Sequence, residues 1–391
     1  MKRKKLCLLM TTTTLFFNIV SPNLVFANEN TIMKNSMDTF INENDSDIVN
    51  IPDKNLKRVL NKYLKQEESS DISVGQLRTI ENLTTGAENI SNISGLEYCT
   101  NLKFLNISNH READKNKYND IKDISVLKNL KKLEVLNMEN NKISDLTPIS
   151  NLENLIQIDA SGNNINNISE ISKLKNLTKL FLYDNNITDI SAIKNLKNLK
   201  ILSLSNNCIS TLAPLKDLKQ LQSLDASNNR ITDLEPLKDL YKLSVLTLNN
   251  NEIESLMPLK NCSKIFSLEL KNNRIKDISP LKELNNLFLI YLNGNMISNI
   301  STLLDKSVKA YIGNQTISVK NLKSNNSLKI DIPVDQKFPV KINNITNNGV
   351  FKNNSIEWKD YSKNDELLFE FKQDINDDER LILYNGTVII K

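Results

Sequence analysis

The chain has 391 residues, with 50 lysines and arginines against 46 aspartates and glutamates, and one histidine. Four of the basic residues crowd into Lys2-Arg3-Lys4-Lys5; without them the two signs are equal, which removes the basic surface that nucleic-acid binding needs. A lone histidine excludes a histidine-built metal cluster and a Ser-His-Asp triad, and the eight glycines form no phosphate-cradling loop.

The basic segment runs into an apolar, Thr-rich stretch and then Val25-Phe26-Ala27, the layout of an export signal over residues 1–27. Secretion is therefore expected, with no membrane insertion once the signal is removed, because no later apolar run approaches the roughly 20 residues of a membrane span. Cys7 lies too close to the basic segment to take a lipid and reads as a small apolar residue of the signal. Residues 28–50 are rich in Asn, Asp and Glu and lack a period, which predicts a polar leader with little packing. From Pro52 onward, Leu56, Val59, Leu60, Tyr63 and Leu64 fall on one helical face behind a candidate N-cap, Asp53. Residues 51–79 thus read as a helical cap over the open edge of whatever stacks behind it.

From residue 80 to 307 one frame recurs every 22 residues. Leu133, Leu136, Met138, Ile143, Leu146, Ile149 and Leu152 stand at offsets 0, 3, 5, 10, 13, 16 and 19, with Asn141 at offset 8. Further units begin at Leu155, Leu177, Leu199, Leu221, Leu243, Ile265 and Leu287, and two precede Leu133, making about ten. The second unit is overlong: His110 falls at the asparagine position and Ile121 comes nine residues late, which predicts an inserted loop from Arg111 to about Asn119. Such a period signals a solenoid. One short parallel strand per unit, about 4.8 Å from the next, gives a curved sheet about 45 Å long with its concave face on the strand side. Pro148, Pro214, Pro236, Pro258 and Pro280 at offset 15 predict 3₁₀ turns on the convex side.

The recurring asparagine reads as a structural ladder rather than a ligand row, since its amide has donors and acceptors for the backbone of neighbouring turns. Cys99 and Cys262 sit where other units have leucine and read as core; with Cys208 they suggest no disulfide framework. After Leu303 the frame fails. Residues 308–391 carry alternating runs such as Leu328-Lys329-Ile330-Asp331-Ile332 and Leu367-Leu368-Phe369-Glu370-Phe371, which predict a transition strand and an immunoglobulin-like β-sandwich with Trp358 as core aromatic.

Outward strand offsets 2, 4 and 6 are mostly Asn, Ser and Asp, yet they include Phe104, Phe181, Tyr183, Ile201, Val245, Leu289 and Tyr291. Large apolar residues on an exposed sheet mark a candidate protein-binding surface. Phe181, Tyr183 and Ile201 are its tightest cluster, with Lys179, Asp159, Glu269, Lys271 and Arg274 as polar rim. Lys194, Lys216, Lys238, Lys260 and Lys282 share offset 17. That row suits an anionic envelope polymer, although Asp217, Asp239 and Glu283 at the next offset are placed to neutralise it. No catalytic, cofactor or metal residues are assigned.

The segment Ile51-Pro52-Asp53-Lys54-Asn55-Leu56, the repeat Asn-Asn-X-Ile-X-Asp-Ile-X-Pro-Leu, Asn314-Gln315-Thr316-Ile317 and the stretch Ile345 to Trp358 together resemble the internalins of Gram-positive bacteria. The resemblance covers nearly all of the chain after the signal. It implies an α/β solenoid: a curved leucine-rich repeat with a helical N-terminal cap and a C-terminal Ig-like β-sandwich. It also implies a non-enzymatic, monomeric surface or secreted protein whose concave face docks an extracellular protein, with host surface proteins and a role in virulence in view. The chain ends at Lys391 without an LPXTG sorting motif, which makes it most like the short secreted members. The alternative is an envelope structural or adhesive protein that associates with the bacterial wall through the lysine row and the sandwich.

Overall fold

The computed structural model describes residues 44–109, 114–319, 327–331, 339–359, 367–377 and 380–390. The export signal, most of the leader and His110 lie outside them. Helix α1 (Lys54–Tyr63) starts at Asp53, whose Oδ1 accepts the N–H groups of Asn55 and Leu56 at 3.0 and 3.1 Å. Its Oδ2 accepts those of Ser91 and Asn92 at 2.8 and 3.2 Å, so one carboxylate caps the helix and fastens it to the first repeat. Burial raises the Asp53 pKa, but these four N–H donors outweigh it and hold the carboxyl below its ordinary value.

Leu56 and Leu60 are fully buried, whereas Tyr63, expected on the same face, is 45% exposed. Asn61 is buried beside them because its amide donates to the carbonyls of Glu68 and Ser70 and accepts from Gln66, anchoring the loop into helix α2 (Val74–Arg78). The end of the expected leader also packs: Val49 N donates to Ile72 O, Val74 N to Asp47 O, and Asp45 ion-pairs with Arg78. These backbone groups find partners in the cap, so residues 45–49 are ordered against it rather than loose.

Ten three-residue strands follow, β1 (Asn82–Thr84), β2 (Phe104–Asn106), β3 (Val135–Asn137), β4 (Gln157–Asp159), β5 (Lys179–Phe181), β6 (Ile201–Ser203), β7 (Ser223–Asp225), β8 (Val245–Thr247), β9 (Ser267–Glu269) and β10 (Leu289–Tyr291). They pair in parallel and in sequence order. Their middle residues, such as Leu136, Ile158 and Leu180, have no exposed surface. Opposite them stack 3₁₀ turns, several with proline in the first turn as at Thr147–Ile149 and Glu235–Leu237. Strands held by ladder hydrogen bonds approach more closely than turns separated by side chains, so the strand side is the concave one.

The asparagine ladder locks this stack. Asn163 Oδ1 accepts Ile143 N at 2.9 Å, and its Nδ2 donates to the carbonyls of Met138, Ala160 and Ser161 at 3.0, 3.1 and 3.1 Å. Asn185, Asn207, Asn229, Asn251 and Asn273 repeat the pattern. In the overlong unit the ladder residue is Asn119, not His110. Asn119 accepts Ile90 N at 2.9 Å and donates to Gly86 O and Ile107 O, and it precedes Ile121 by two residues as Asn141 precedes Ile143. The insertion therefore falls before the ladder position. Asn109, fully buried, bonds Asn119 through both backbone groups and closes the base of the inserted loop.

In the regular units the residue before the ladder asparagine has a left-handed backbone: Asn140, Asp184, Asn206, Asn228, Asn250 and Asn272 have φ between 53 and 58°, whereas Tyr118 before Asn119 has φ −59°. Such φ is tolerated by Asn, Asp and Gly. Gly162 and Gly294 occupy the same position, and there a Cβ would overlap the Asn140 and Asn272 amide oxygens.

The ladder outlasts the frame. Gln315 Oε1 accepts Ile297 N at 2.9 Å and its Nε2 donates to Leu292 O at 2.9 Å. Gln315 lies in β11 (Lys309–Val319), which continues the sheet from β10. The order then runs to β17 (Leu381–Ile390), β16 (Leu367–Asn376) and β13 (Lys341–Asn343). A separate sheet, ordered β12 (Ser327–Asp331), β15 (Ser355–Lys359), β14 (Val350–Lys352), completes the C-terminal strands. Trp358 is fully buried, donates Nε1–H to Thr346 O at 2.7 Å and packs 6.2 Å from Phe369. Tyr384 is buried and donates its hydroxyl to Ile297 O at 2.9 Å, joining this region to the last repeat.

Cys99 and Cys262 are buried, and burial pushes their thiols up to about 12 and about 11, so both stay protonated core groups. Cys208 is exposed and free.

Three substitutions test this scaffold. Asn163→Ala strands several buried backbone groups and should cost about 3 kcal/mol in chemical denaturation. Asn119→Ala should cost about as much; a loss of only a few tenths would remove it from the ladder. Asp53→Ala should cost about 1–2 kcal/mol. The Asp53 pKa is lower in the folded state, so its contribution is present above about pH 3.9 and lost as pH falls through the folded value. Melting temperatures across the acid range should converge for wild type and Asp53→Ala.

Candidate functional site

Strand register turns the outward offsets into rows across the sheet. One row carries Phe104, Lys179, Ile201, Val245 and Leu289, and the next carries Asp159, Phe181, Glu269 and Tyr291. Tyr183 and Lys271 stand two residues further along, just past β5 and β9. Arg274 is off these rows, beyond the ladder Asn273, and ion-pairs with Glu252 at 2.9 Å. Phe104 on β2 is three strands from β5. Ile201 and Val245 are half-buried and flanked in their row by Lys179, Ser223 and Ser267.

Two clusters emerge. In the first, the Tyr183 hydroxyl donates to Glu139 Oε1 across the unit that lies between them. Ser161, at the corresponding position of that unit, is fully buried with its hydroxyl unpartnered, as expected of a small residue roofed by an aromatic side chain. Phe181, expected as an exposed anchor, is only 9% exposed. Its strand neighbours are Asp159 and Ser203, and a phenyl ring gains more by lying against the sheet there than by standing in water.

In the second cluster, Glu269 is 1% exposed, so it is part of the floor and not of the rim. Asn249 Nδ2 donates to it at 3.0 Å while Asn249 Oδ1 accepts Lys271 N at 2.8 Å, and the Lys271 ammonium lies 3.6 Å away. Lys271 Nζ also sits 4.4 Å from the Tyr291 ring centroid, and Tyr291 stacks on Tyr311 at 4.7 Å with 9° between the planes. A cation and two rings thus form a preformed stack over β9, β10 and β11. Burial raises the Tyr291 hydroxyl pKa, helped by Tyr311 and Glu269. Tyr311 escapes the sequence frame because the unit before it is shortened; the signal was the alternation Lys309-Ala310-Tyr311-Ile312.

Between the clusters lies a floor of small polar residues, Ser203, Ser223, Asp225 and Thr247. From β5 to β10 this spans roughly 24 Å. Burial lifts the Asp225 carboxyl above its ordinary value despite hydrogen bonds from Ser227 and Ser205.

In the lysine row, Lys194, Lys216, Lys238, Lys260 and Lys282 are all exposed. Lys238 pairs with Glu235 at 2.6 Å, while Asp217 and Asp239 are answered by Lys197 and Lys219 at 3.7 and 3.8 Å. Those two carboxylates thus serve lysines outside the row. Among the described residues no group of His, Cys, Asp and Glu could hold a metal ion, and no helix is long and apolar enough to cross a membrane.

Asp225 has a folded pKa above its unfolded one, so its contribution becomes unfavourable as pH rises from about 3.9 through the folded value. Asp225→Asn should therefore raise the melting temperature at neutral pH and leave it unchanged in acid.

Family models place this chain among known proteins. "Leucine Rich repeats (2 copies)" matches residues 116–151, 175–217 and 219–261, and "LRR adjacent" matches 339–390. An internalin (inlF) from Listeria monocytogenes is 30% identical, over 68% of this chain and 84% of that one, with a TM-score of 0.59. An internalin C2 (inlC2) from the same organism is 30% identical over 62% and 93%, with a TM-score of 0.49. The leucine-rich repeat domain of APL1B is 20% identical over 62% and 72%, with a TM-score of 0.50, and shares the fold. No curated protein matches the chain. With its capped 22-residue repeats, its adjoining C-terminal strands and 30% identity to an internalin it covers for the most part, the chain belongs to the internalin family of leucine-rich-repeat proteins.

Proposed function

We infer that the chain is an exported recognition protein that binds an extracellular protein, a host surface protein being one such partner, through the concave strand face. The observation that carries this is the registered placement of aromatic side chains, Tyr183 in one cluster and the Lys271–Tyr291–Tyr311 stack in the other, on a sheet locked by its ladder. Aromatic anchors contribute disproportionately to protein interfaces, and a preformed surface loses little entropy on docking. The carboxylates of this face are held by neighbouring donors within the protein, Glu269 by Asn249 and Asp225 by Ser227, which favours a non-enzymatic role without cofactor or metal. Export rests on the N-terminal layout, and a monomer suffices for this mode of binding.

A second reading, retention in the envelope through the lysine row, gains from the pairing of Asp217 and Asp239 with lysines outside that row. Fractionation separates the two: free protein in the medium favours the first, and protein found only in washed walls and released by high salt favours the second.

The binding reading is tested by pull-down from host extracellular extracts with wild type, Tyr183→Ala and Tyr291→Ala. Capture should fall roughly tenfold or more in at least one variant with an unchanged circular dichroism spectrum. Equal capture by all three would place the partner elsewhere.

A further inference from the structure

Strands β10, β11 and β17 are neighbours in one sheet, although β17 comes from the end of the chain. Their register aligns Leu289, Lys309 and Leu381 in one row and Tyr291, Tyr311 and Leu383 in the next. Because side chains alternate along a strand, both rows point to the outward face of the repeats. Leu289, Tyr291, Tyr311, Leu381 and Leu383 are each half-buried, and Phe288 beside them is 44% exposed. Apolar side chains of both rows, with Phe288 beside them, therefore meet across the junction of the repeats with the C-terminal strands, interrupted in the first row by Lys309. Elsewhere on the face, residues such as Val245 stand between serines.

Two exposed lysines stand at the rim of this patch. Lys309 is exposed, with its ammonium 5.6 Å from the Phe288 ring centroid, and Lys264 is exposed just before Phe266, itself 38% exposed on the same rim. Two carboxylates of the neighbouring strands are engaged: Glu269 is buried against Asn249 and Lys271, and Asp374 on β16 pairs with Lys372 at 3.0 Å. The face of Tyr291 away from Tyr311 is taken by Lys271. A basic ligand would find that cation position filled and meet like charge at Lys309.

We propose that this junction is the docking point for an acidic protein segment bearing a large apolar anchor, which covers the Tyr291–Tyr311 stack while its carboxylates meet Lys309 and Lys264. The proposal rests on the protein-binding reading and narrows it to one end of the face and one partner chemistry. Its apolar centre supplies the anchor site, and the exposed lysines act at the rim, where they steer association and make it sensitive to salt.

The test is selection of a displayed random-peptide library on the full chain, followed by affinity measurement on Lys309→Glu/Lys264→Glu, Tyr311→Ala and Tyr183→Ala. The selected peptides should be net acidic with an aromatic or large aliphatic residue. They should lose roughly tenfold or more in affinity for both junction variants, weaken with added salt, and keep their affinity for Tyr183→Ala. The charge-reversal variant changes only exposed side chains, so its loss of binding is independent of folding, which circular dichroism checks. A selected pool without acidic bias, or no enrichment at all, overturns the proposal. Peptides weakened by Tyr183→Ala alone remove the junction and leave binding by the concave face standing, and peptides that bind every variant alike remove both.

Discussion

Everything in this molecule depends on what a buried amide does at the end of each strand. Chain that leaves a strand and turns under the next unit carries backbone N–H and C=O groups into a place water cannot reach, and they must be paired there. One asparagine per unit meets that demand, accepting from the preceding unit's backbone and donating to carbonyls of that unit and of its own. Its geometry fixes the rise and rotation between units, hence the strand register, hence which side chains become neighbours on the concave face. The arrangement of side chains on that face is a by-product of satisfying the loops.

Much of the fold is legible in the sequence because this constraint recurs: a fixed interval between Leu, Asn and Ile gives the strands, and offset 15 proline gives the 3₁₀ turns. The frame misleads where the interval changes. Counting forward from Leu102 puts His110 in the ladder, whereas counting back two residues from Ile121 finds Asn119, because the bond geometry ties the asparagine to the isoleucine after it. Gln315 was similarly hidden, since the last unit is short and a glutamine reaches where an asparagine would not.

The candidate face was less legible than the fold. An offset tells which way a side chain leaves the strand and not how far it stands from the sheet. Phe181 and Glu269 both leave the outward side, yet both end almost covered because their neighbours are small or hold them down. Leu381 and Leu383 had no sequence signal at all as members of this face. They reach it through parallel pairing of β17 with β11, a contact between distant parts of the chain that no periodicity encodes.

The clasps at the two ends of the solenoid have a consequence for how it comes apart. A stack of units that contact only their neighbours tends to fray from its ends, one repeat at a time. Here Asp53 fastens the first repeat to the cap, and Gln315 and Tyr384 fasten the last to the C-terminal strands. Peeling at either end must first break hydrogen-bonded contacts, exposed ones at Asp53 and buried ones at Gln315 and Tyr384, which raises the free energy of local opening toward that of global unfolding. The stack therefore behaves as one cooperative unit, and its end units are protected from the stepwise exposure of edge strands that proteases would otherwise exploit.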